Sequence, residues 1–402
     1  MTMSVTIVGG CGHVGLPLGI MLANAGATVY LLDTDSKRVA AVQSGTMPFY
    51  ERGADEALPQ ALATGRLSVG TDPGPLAESG IVLVTIGTPV DEFLDPKVLS
   101  FDRAIDRILA QMRPGQLLLL RSTVFPGLTD RLYRRIQERG LEIEVAYCPE
   151  RIAQGYALQE LPTLPQIISA PTPQAHARAA ALFSLLGAPL VTLPPIEAEL
   201  AKLFANSYRY LNFAISNQFY AIAQKFDADF YRIYDAVTYQ YPRLAGFAKA
   251  GYAGGPCLLK DTMQLAAFNH NAFVLGQAAM MINEGLPSIL IEKLKLRRNL
   301  RNDTAAILGM AFKGNCDDPR DSLAYKLRKL LTLECREVLC TDPYIQDPSF
   351  VSLEEALARA DVVFIAACHA EYQNLTIHQE LVDVFNFVRK NQVSAVPYLR
   401  AV

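Results

Sequence analysis

The chain has 402 residues, enough for two or three domains that each bury a core of their own. Hydrophobic residues make up 50% and charged residues 19% of the chain, which excludes an intrinsically disordered protein. The formal net charge of −3 leaves no basic surplus for nucleic acid, and no uninterrupted apolar run reaches the roughly 18 residues of a membrane helix, so we expect neither partner.

The first half of the chain predicts strands that alternate with helices. Ser4–Val8 and Thr28–Leu32 are short apolar runs, typical of buried parallel strands, and a helical pattern from Leu16 to Ala25 lies between them. Similar strands are predicted at Ile81–Ile86, Leu117–Leu120, Glu144–Tyr147, Gln166–Ser169 and Pro189–Thr192, and helices at Ser100–Met112 and Thr129–Arg139. This alternation is typical of a doubly wound parallel sheet.

The middle of the chain has a different character, because helical periodicity dominates from 196 to 298. Glu197–Tyr220 runs without Gly or Pro, and Met263–Asn283 contains only Gly276, so two long helices are predicted. A glycine-rich loop, Gly251–Cys257, lies between these two segments.

Strand–helix alternation resumes at Asp303. Strands are predicted at Thr304–Ala311, Glu337–Thr341 and Asp361–Ala367, and helices at Leu323–Leu331 and Leu353–Ala360. We therefore predict an α/β protein in which two Rossmann-like domains, each a doubly wound parallel sheet, are joined by a central helical segment with a long helix. The predicted boundaries are 1–195, 196–298 and 299–402.

A dinucleotide fingerprint opens the chain. Gly10, Gly12 and Gly15 follow a predicted strand and open a predicted helix, where they allow a tight turn, close approach of a pyrophosphate and helix–strand packing. Asp33 ends the next strand, where it can accept hydrogen bonds from ribose hydroxyls and repel a 2′-phosphate, which favours NAD over NADP. Arg38 weighs against this preference, because an arginine nearby can accommodate a 2′-phosphate. The alternative is a glycine turn that binds no ligand.

Cys257 differs from the other six cysteines. An odd, dispersed set without a Cys-x-x-Cys motif predicts free thiols in a reducing compartment, so we expect the cytoplasm. Cys257 follows a Gly-Gly-Pro turn, and both Lys260 and a helix predicted to begin around it would raise the thiolate fraction. The alternatives are an incidental loop cysteine and, for Asp261, a helix cap. The other cysteines are predicted to be small buried hydrophobic residues.

Further candidate active-site residues are polar side chains on one predicted helix and at the ends of two predicted strands. Lys202 and Asn206 stand four residues apart on an apolar helix, with Glu199 on the same side. A solvated stripe is the alternative, although Asn is disfavoured within helices. Glu150 and Thr123 follow predicted strands, where α/β proteins collect their chemistry, unless they only serve the turns there. The five histidines lack zinc-site spacing, so no metal is expected.

Together these motifs resemble the UDP-glucose/GDP-mannose dehydrogenase family of nucleotide-sugar 6-dehydrogenases, over nearly the whole chain. The matching segments are Gly10-x-Gly12-x-Val14-Gly15, Thr88-Pro89, Ser122-Thr123-Val124, Pro149-Glu150, Lys202-Leu203-x-Ala205-Asn206, Gly254-Gly255-Pro256-Cys257-x-x-Lys260-Asp261, Phe312-Lys313, Arg320-Asp321-Ser322, Asp342-Pro343 and His369-x-Glu371-Tyr372. The thiol loop and the Lys-x-x-x-Asn helix are rarely met together elsewhere.

The resemblance implies three parts with separate tasks. An N-terminal domain would bind NAD, the central helical domain would serve dimerisation and substrate binding, and the C-terminal Rossmann-like domain would bind the nucleotide sugar. The family would act as a homodimer that oxidises the C6 alcohol of a UDP-hexose or UDP-N-acetylhexosamine to the uronate, with two NAD+ in succession. Polysaccharide biosynthesis is the expected context.

The resemblance also assigns roles to individual residues. Cys257 would add to the sugar aldehyde to form a thiohemiacetal, which is then oxidised to a thioester. Lys202 and Asn206 would stabilise the C6 oxyanion, the lysine as a fixed cation and the asparagine as a hydrogen-bond donor. Asp261 would assist proton transfer through a water that Thr123 positions.

Further contacts are implied by position in the family motifs. Glu150 would activate water for thioester hydrolysis, and Gln154 stands where many UDP-glucose enzymes have a second glutamate. Cofactor contacts are implied at Gly10, Gly12, His13, Val14, Gly15, Asp33, Arg38, Thr88, Thr123 and Arg320. Substrate contacts are implied at Glu150, Lys202, Asn206, Arg243, Tyr252, Gly254 and Lys313.

Two other functions remain open from the sequence. A two-electron β-hydroxyacid-type NAD dehydrogenase shares the Rossmann-plus-helical layout and would form one NADH per product. A non-catalytic protein that binds NAD or a nucleotide sugar is the third alternative, supported only by Gln154. The sugar is also open: PERIAQG at 149–155 and YPR at 241–243 favour N-acetylhexosamines, whereas GGPCLLKDT at 254–262 favours UDP-glucose.

Overall fold

Residues 3–388 are described by a computed structural model, in which the chain divides into two compact units. The first unit comprises Met1–Ala205 and Met263–Asn271, and the second comprises Asn206–Thr262 and Ala272–Val402. Each unit has its own parallel sheet and its own hydrophobic core.

The first unit is built on a six-stranded parallel sheet with strand order β3-β2-β1-β4-β5-β6. Its strands are β1 (Ser4–Val8), β2 (Thr28–Leu32), β3 (Leu67–Gly70), β4 (Ile81–Val84), β5 (Leu117–Leu120) and β6 (Glu144–Tyr147). β1, β2, β5 and β6 have the predicted bounds, and β4 ends at Val84, earlier than predicted. β3 has no counterpart in the sequence prediction, because this short edge strand contains only two large apolar side chains.

Apolar runs made the inner strands predictable. Every residue of β4 and β5 is buried, as expected for parallel strands that are covered by helices on both faces. The four leucines of β5 have no exposed surface, and burying each contributes about 1.5–3 kcal/mol. The residues that directly follow these two strands are therefore attached to a well-packed part of the sheet.

Two further predicted strands form a separate small sheet. β7 (Gln166–Ile168) and β8 (Leu190–Thr192) pair in parallel with each other and do not join the six-stranded sheet as strands. A single antiparallel bridge, between Tyr147 and Ser169, touches the end of β6. Both predicted strands therefore form, and they belong to a sheet of their own.

Within residues 3–194, seven α-helices accompany these strands. They are α1 (Gly15–Asn24), α2 (Ser36–Gln43), α3 (Ala54–Ala63), α4 (Val98–Leu109), α5 (Leu128–Glu138), α6 (Ala157–Glu160) and α7 (Pro173–Ser184). The local sequence explains where α7 begins. The Thr172 hydroxyl caps the helix by accepting the Ala175 N–H. Pro173 occupies the first turn, where the backbone needs no hydrogen-bond donor.

Long helices dominate the start of the second unit, as predicted. They are α8 (Pro195–Lys225), whose first residues belong to the first unit, α9 (Phe230–Thr238), α10 (Leu258–Phe268) and α11 (Val274–Lys295). The predicted helix Met263–Asn283 is wrong, since α10 ends before it reaches α11. His270 and Asn271 adopt positive φ values of 49° and 57°, a conformation that interrupts a right-handed helix.

The second unit also contains a four-stranded parallel sheet with order β10-β9-β11-β12. The strands are β9 (Thr304–Leu308), β10 (Glu337–Thr341), β11 (Val362–Ile365) and β12 (Glu380–Val382), accompanied by α12 (Leu323–Glu334) and α13 (Leu353–Arg359). β12, three residues long, has no predicted counterpart. The predicted fold class, two Rossmann-like sheets with a long central helix, is confirmed.

One helix within residues 3–388, α11, is long and apolar enough to cross a membrane by length and composition alone. The buried core helix of a globular unit passes the same test. Leu286, Leu290 and Leu294 of α11 are buried in the core of the second unit, and its Asn283 amide donates to the Tyr210 carbonyl oxygen. These contacts assign α11 to the core.

Candidate active site

The glycine turn between β1 and α1 leaves room for a ligand backbone. A Cβ atom at Gly10 would lie 2.7 Å from the Leu31 Cβ, and one at Gly15 would lie 2.6 Å from the Gly9 carbonyl oxygen. Gly9, with a φ of 79°, closes the turn against Thr85. A Cβ at Gly12 would meet only the Gly9 oxygen, at 3.4 Å, so this glycine keeps the approach to the turn open.

The acidic residue after β2 holds the glycine turn in place. The Asp33 Oδ2 accepts the Cys11 N–H at 2.9 Å, and its Oδ1 accepts the Asp35 N–H at 3.1 Å. Asp33 remains partly exposed, so its carboxylate can also reach a ribose. The exposed Arg38 pairs with Asp35 at 3.5 Å, and the His13 ring packs on Phe49 with centroids 4.0 Å apart. The residues present fit a dinucleotide with free ribose hydroxyls.

Two predicted residues meet at the carboxyl edge of the large sheet. The Thr88 hydroxyl donates to the Thr123 carbonyl oxygen at 2.7 Å, which joins the loops after β4 and β5. The Ser122 hydroxyl donates to the Ile86 carbonyl oxygen at 2.6 Å and strengthens the same junction. This edge is where ligands bind in open α/β sheets.

Glu150 lies in a buried ion pair with a residue that the sequence analysis missed. Arg121 directly follows β5 with its side chain completely buried, and its Nη2 lies 2.6 Å from the Glu150 Oε2. The guanidinium also lies over the Phe183 ring, 4.7 Å from the centroid. A charged residue directly after four leucines was the available signal, because such a side chain needs a buried partner.

Glu199 caps a helix and does not belong to a solvated stripe. Its carboxylate accepts the Gly127 N–H at 2.6 Å, the Thr129 N–H at 2.8 Å and the Thr129 hydroxyl at 2.6 Å, at the start of α5. Burial raises the pKa of Glu199, and the bonds from Thr129 and Gly127 oppose that shift. Lys202 is also buried, with 9% of its surface exposed, so the solvated-stripe alternative is wrong for both residues.

The thiol loop of the second unit packs against the loop after β9. The Gly255 N–H donates to the Asp321 carbonyl oxygen at 3.0 Å, and a Cβ at Gly255 would lie 2.4 Å from the Phe312 ring. A Cβ at Gly254 would lie 2.8 Å from the same Asp321 oxygen. The two glycines are therefore required for this close approach, which brings the Cys257 loop beside the Lys313 loop.

Cys257 stands at the N-terminus of α10. Its carbonyl oxygen accepts the Asp261 N–H at 2.9 Å in the first turn, and its side chain is exposed. A helix N-terminus favours a thiolate. Burial raises the pKa values of the other six thiols to about 11 or 12, at Cys11, Cys148, Cys316, Cys335, Cys340 and Cys368.

The Asp261 carboxylate contacts two polar side chains, those of Asn206 and Lys260. It is completely buried, and its Oδ2 accepts the Asn206 side-chain N–H at 2.5 Å. Lys260 pairs with the other carboxylate oxygen at 2.7 Å. Asp261 therefore orients the amide of Asn206, which has a second N–H for another acceptor.

The remaining predicted residues occupy different surroundings in the second unit. Lys313 lies 5.9 Å above the Phe312 ring, and the exposed Arg320 donates to the buried Asp318 at 2.6–3.1 Å. Tyr252 is buried and packs edge-on against a neighbouring ring. Arg243 is exposed and lines a separate apolar groove formed by α8, α9 and the segment after α9.

The acidic residue after β10 differs from its counterpart Asp33. The side chain of Asp342 has no exposed surface, and its Oδ2 accepts the Met310 N–H at 2.6 Å and lies 3.1 Å from the Nε2 of the buried His369. The His369 Nδ1 accepts the Asn315 N–H at 3.0 Å. Although burial raises the pKa of Asp342, these bonds outweigh it and hold that pKa below its usual value. Asp342 is therefore not open to a ribose in the way that Asp33 is. Residues 3–388 contain no group of three metal-ligating side chains.

Models of one protein family match three consecutive regions of the chain. The NAD binding domain of the UDP-glucose/GDP-mannose dehydrogenase family matches residues 3–186, the central domain matches 196–285, and the UDP binding domain matches 306–391.

Individual proteins match over nearly the full length. A UDP-N-acetyl-D-mannosamine dehydrogenase of Methanocaldococcus jannaschii is 30% identical, over 91% of this chain and 86% of that protein. The structure of a UDP-N-acetyl-D-mannosamine dehydrogenase from Pyrococcus horikoshii superimposes with a TM-score of 0.89 at 27% identity, covering 99% and 98% of the two chains. A UDP-glucose dehydrogenase structure from Pyrobaculum islandicum gives 0.88 at 27% identity, covering 97% and 96%.

Proposed function

We propose a function for this chain, which belongs to the UDP-glucose/GDP-mannose dehydrogenase family. It oxidises the C6 alcohol of a UDP-N-acetylhexosamine to the uronate through a covalent intermediate on Cys257. The observation that supports the covalent step is the exposed Cys257 thiol at the N-terminus of α10, in a chain whose other thiols have pKa values raised by burial. UDP-hexoses are the second substrate class. Two similar proteins are named for UDP-N-acetylmannosamine, and we therefore propose that sugar as the first candidate.

The enzyme is an NAD-dependent nucleotide-sugar dehydrogenase, and NAD+, when bound, supplies the hydride acceptor for each oxidation. We assign the pyrophosphate to the turn of Gly10, Gly12 and Gly15, where free N–H groups at the start of α1 offset its charge. Asp33 would hold the adenosine ribose through its exposed face. Thr88 and Thr123, at the carboxyl edge of the sheet, would contact the other half of the dinucleotide.

Charge at the C6 oxygen is the main electrostatic problem of both oxidations. We assign Lys202 to that oxygen as a buried cation, because a fixed charge in a dry environment stabilises an alkoxide without reorganisation. Asn206 would donate its second amide N–H to the same oxygen, and Asp261 fixes the orientation of the amide.

Cys257 would carry the second oxidation. Its thiolate adds to the aldehyde carbon, forming a C–S bond and a thiohemiacetal, and loss of hydride from that carbon leaves a thioester. Water then adds to the thioester carbonyl carbon, and the C–S bond breaks with the electron pair returning to sulfur. We propose that Glu150 activates the attacking water, and that Asp261 assists proton transfer through a water held by Thr123. A reactive thiolate also requires a reducing compartment, which favours the cytoplasm.

The nucleotide would be held by the loop beside the thiol. Lys313 offers a cation to its phosphates, while Gly254 and Tyr252 shape the wall next to Cys257. Arg320 carries a positive charge whose pKa is raised by its bonds to Asp318, and we assign it to the phosphates of the dinucleotide.

A panel of nucleotide sugars tests this function. Purified protein is incubated with NAD+ and UDP-N-acetylmannosamine, UDP-N-acetylglucosamine, UDP-N-acetylgalactosamine, UDP-glucose or GDP-mannose, while absorbance at 340 nm and uronate are measured. We expect two NADH per uronate with one UDP-N-acetylhexosamine, and no uronate from Cys257→Ala. One NADH per product would indicate a two-electron dehydrogenase, and NAD binding without NADH would indicate a non-catalytic protein.

We further propose a homodimer that forms through α8. Along this helix an exposed apolar stripe runs through Tyr208, Ile215, Phe219, Ile222 and Phe226. The stripe lines a groove of about 700 Å³, and contiguous apolar surface of this kind marks an interface. A second copy of the chain presents the same stripe, so a two-fold arrangement buries both at once.

Solution mass distinguishes the dimer from a monomer. Static light scattering on wild-type protein should give twice the chain mass of 44.1 kDa. Phe219→Glu places a charge in the stripe and should shift the mass toward a monomer. Leu333→Glu, at a more exposed leucine of α12 outside the groove, should leave the dimer intact. A wild-type mass of one chain would refute the proposal.

A further inference from the structure

Asn217 of α8 binds the first residue of the thiol loop, Gly251–Cys257, through both of that residue's backbone groups. The Asn217 Oδ1 accepts the Gly251 N–H at 2.8 Å, and the Asn217 Nδ2 donates to the Gly251 carbonyl oxygen at 3.0 Å. Asn217 is buried, with 1% of its surface exposed, so these bonds lie in a site that is closed to solvent. The side-chain amide therefore holds Gly251 in the way that a neighbouring strand would hold it.

A second amide fixes the orientation of Asn217. The Asn217 Nδ2 also donates to the Asn283 Oδ1 of α11 at 2.9 Å, and the Asn283 Nδ2 donates to the Tyr210 carbonyl oxygen of α8 at 3.1 Å. Asn283 has no exposed surface. An asparagine amide has two N–H groups, and both of those of Asn217 are occupied, so the network permits one orientation of this side chain.

The backbone before the thiol loop is held by the same helix. The Ser216 hydroxyl donates to the Ala248 carbonyl oxygen at 2.5 Å. The Asn212 Nδ2 donates to the Gly246 carbonyl oxygen at 2.6 Å, and the Asn212 Oδ1 accepts the Ala248 N–H at 3.3 Å. Side chains of α8 therefore bind the chain at 246, 248 and 251, directly before the thiol.

Apolar contacts near Cys257 also lead to α8. Ala253 and Leu258 are buried in one small cluster with Tyr210 of that helix. Only five residues separate Gly251 from Cys257, and Leu258 directly follows the thiol. A shift of Gly251 would therefore be passed along this short segment to the sulfur.

Asn217 lies on the same face of α8 as Asn206. The two residues are 11 positions apart, which places them about three turns and 16 Å apart on nearly one line along the helix. One face of α8 therefore carries both the amide that we assign to the C6 oxygen and the amide that holds the thiol loop.

We infer that Asn217 is a positioning residue of the second oxidation: it fixes Gly251, and with it the thiol loop, so that Cys257 meets the carbon whose oxygen Asn206 binds. This inference rests on the proposed function. The first oxidation needs no thiol, whereas the second begins when the Cys257 sulfur forms a C–S bond with the aldehyde carbon. A misplacement of about 1 Å can lower a rate about 100-fold, so a loosened Gly251 should slow the second oxidation selectively.

Asn217→Ala and Asn283→Ala separate this role from a purely structural one. Both remove a buried amide from the same network, but only Asn217 binds the thiol loop. For Asn217→Ala we expect the first hydride transfer and the KM for the nucleotide sugar within about twofold of wild type, and the second oxidation slower by at least about tenfold. For Asn283→Ala both oxidations should stay within about threefold of wild type.

Stopped-flow absorbance at 340 nm measures the two oxidations, and O-methylhydroxylamine traps the aldehyde as an oxime for mass spectrometry. We expect the oxime with Asn217→Ala and not with Asn283→Ala. Equal slowing of both oxidations in Asn217→Ala, or equal rates in the two variants, would overturn the inference. In protein without substrate, amide hydrogen exchange over 250–257 should be faster in Asn217→Ala alone, and unchanged exchange there would also overturn it.

Ser216→Ala decides between these outcomes if Asn217→Ala does not fold. It removes the hydroxyl that donates to Ala248, and alanine suits a helix. We expect the second oxidation to slow by about threefold while the first is unchanged, and wild-type rates for both would overturn the inference. Wild-type protein that forms NADH from no sugar would refute the proposed function instead, and the exchange measurement would still test the contact between Asn217 and Gly251.

Discussion

Removal of the carboxylate that caps α5 tests the packing between α5 and α8. Glu199 belongs to α8, yet its two oxygens accept three donors at the start of α5, two from the backbone and one from a hydroxyl. Glu199→Ala leaves these donors in a site that is closed to solvent, since Glu199 has no exposed surface. The substitution should therefore destabilise the first unit, although alanine itself suits a helix.

The expected loss follows from the donors that remain unpaired. A buried donor without an acceptor costs about 1–3 kcal/mol, and the Thr129 hydroxyl can rotate toward another acceptor, so two backbone N–H groups count. Burying the carboxylate was itself unfavourable, as its raised pKa indicates, and removing it returns part of this cost. We expect a net loss of about 2–3 kcal/mol, or a melting temperature lower by about 5–10 °C for a unit of this size.

Thermal unfolding monitored by circular dichroism measures this loss. Glu197→Ala is the matched control, because Glu197 lies in the first turn of the same helix and is exposed. A melting temperature of Glu199→Ala within 2 °C of that control would refute the reasoning.

The same residue predicts a dependence on pH. Because its pKa in the folded state is raised, the folded state keeps the proton longer than the unfolded chain. The contribution of protonated Glu199 is fully present below its usual value of 4.5 and is lost as pH rises through the raised value. Relative to Glu199→Gln, wild-type protein should therefore lose stability as pH rises above 4.5, and a constant or opposite difference would contradict this sign.

Three further predictions concern the proposed active site. Iodoacetamide at pH 8 should modify Cys257 first, because burial holds the other thiols protonated; peptide mass spectrometry would contradict this by finding another cysteine modified earlier. Gly255→Ala should lower NADH formation by at least about tenfold, because its Cβ would lie 2.4 Å from Phe312. Gly53→Ala, at a similar positive φ with nothing within 4 Å, is its control and should retain activity. Asp33→Ala should weaken NAD binding by calorimetry by about tenfold or more and reduce the preference over NADP, and unchanged affinity would remove Asp33 from the ribose site.

Much of the proposed active site was accessible from the sequence because it depends on local patterns. Gly10, Gly12 and Gly15 are spaced by the geometry of one turn, and the glycines before Cys257 and the helix after it are neighbours along the chain. Strands such as Leu117–Leu120 were predictable because a strand buried on both faces must be apolar throughout. The dinucleotide turn, the thiol loop and the family followed from such patterns.

Long-range pairing could not be predicted from local patterns. Arg121 and Glu150 are 29 residues apart, and Glu199 lies 70 residues from Thr129, so neither partnership leaves a periodic trace in the sequence. The break between α10 and α11 was also missed, since His270 and Asn271 are weaker helix-ending signals than Gly or Pro.

The sequence by itself determined the alternation of strands and helices, the dinucleotide turn and the thiol loop, because each depends on residues close together in the chain. Only the tertiary structure decided which polar side chains are buried and which groups they bind. A lysine, a glutamate or an arginine looks the same in a sequence whether solvent or a buried partner satisfies it, yet its charge costs many times more in the interior. For this reason the buried ion pair between Glu150 and Arg121 could be found only in the structure.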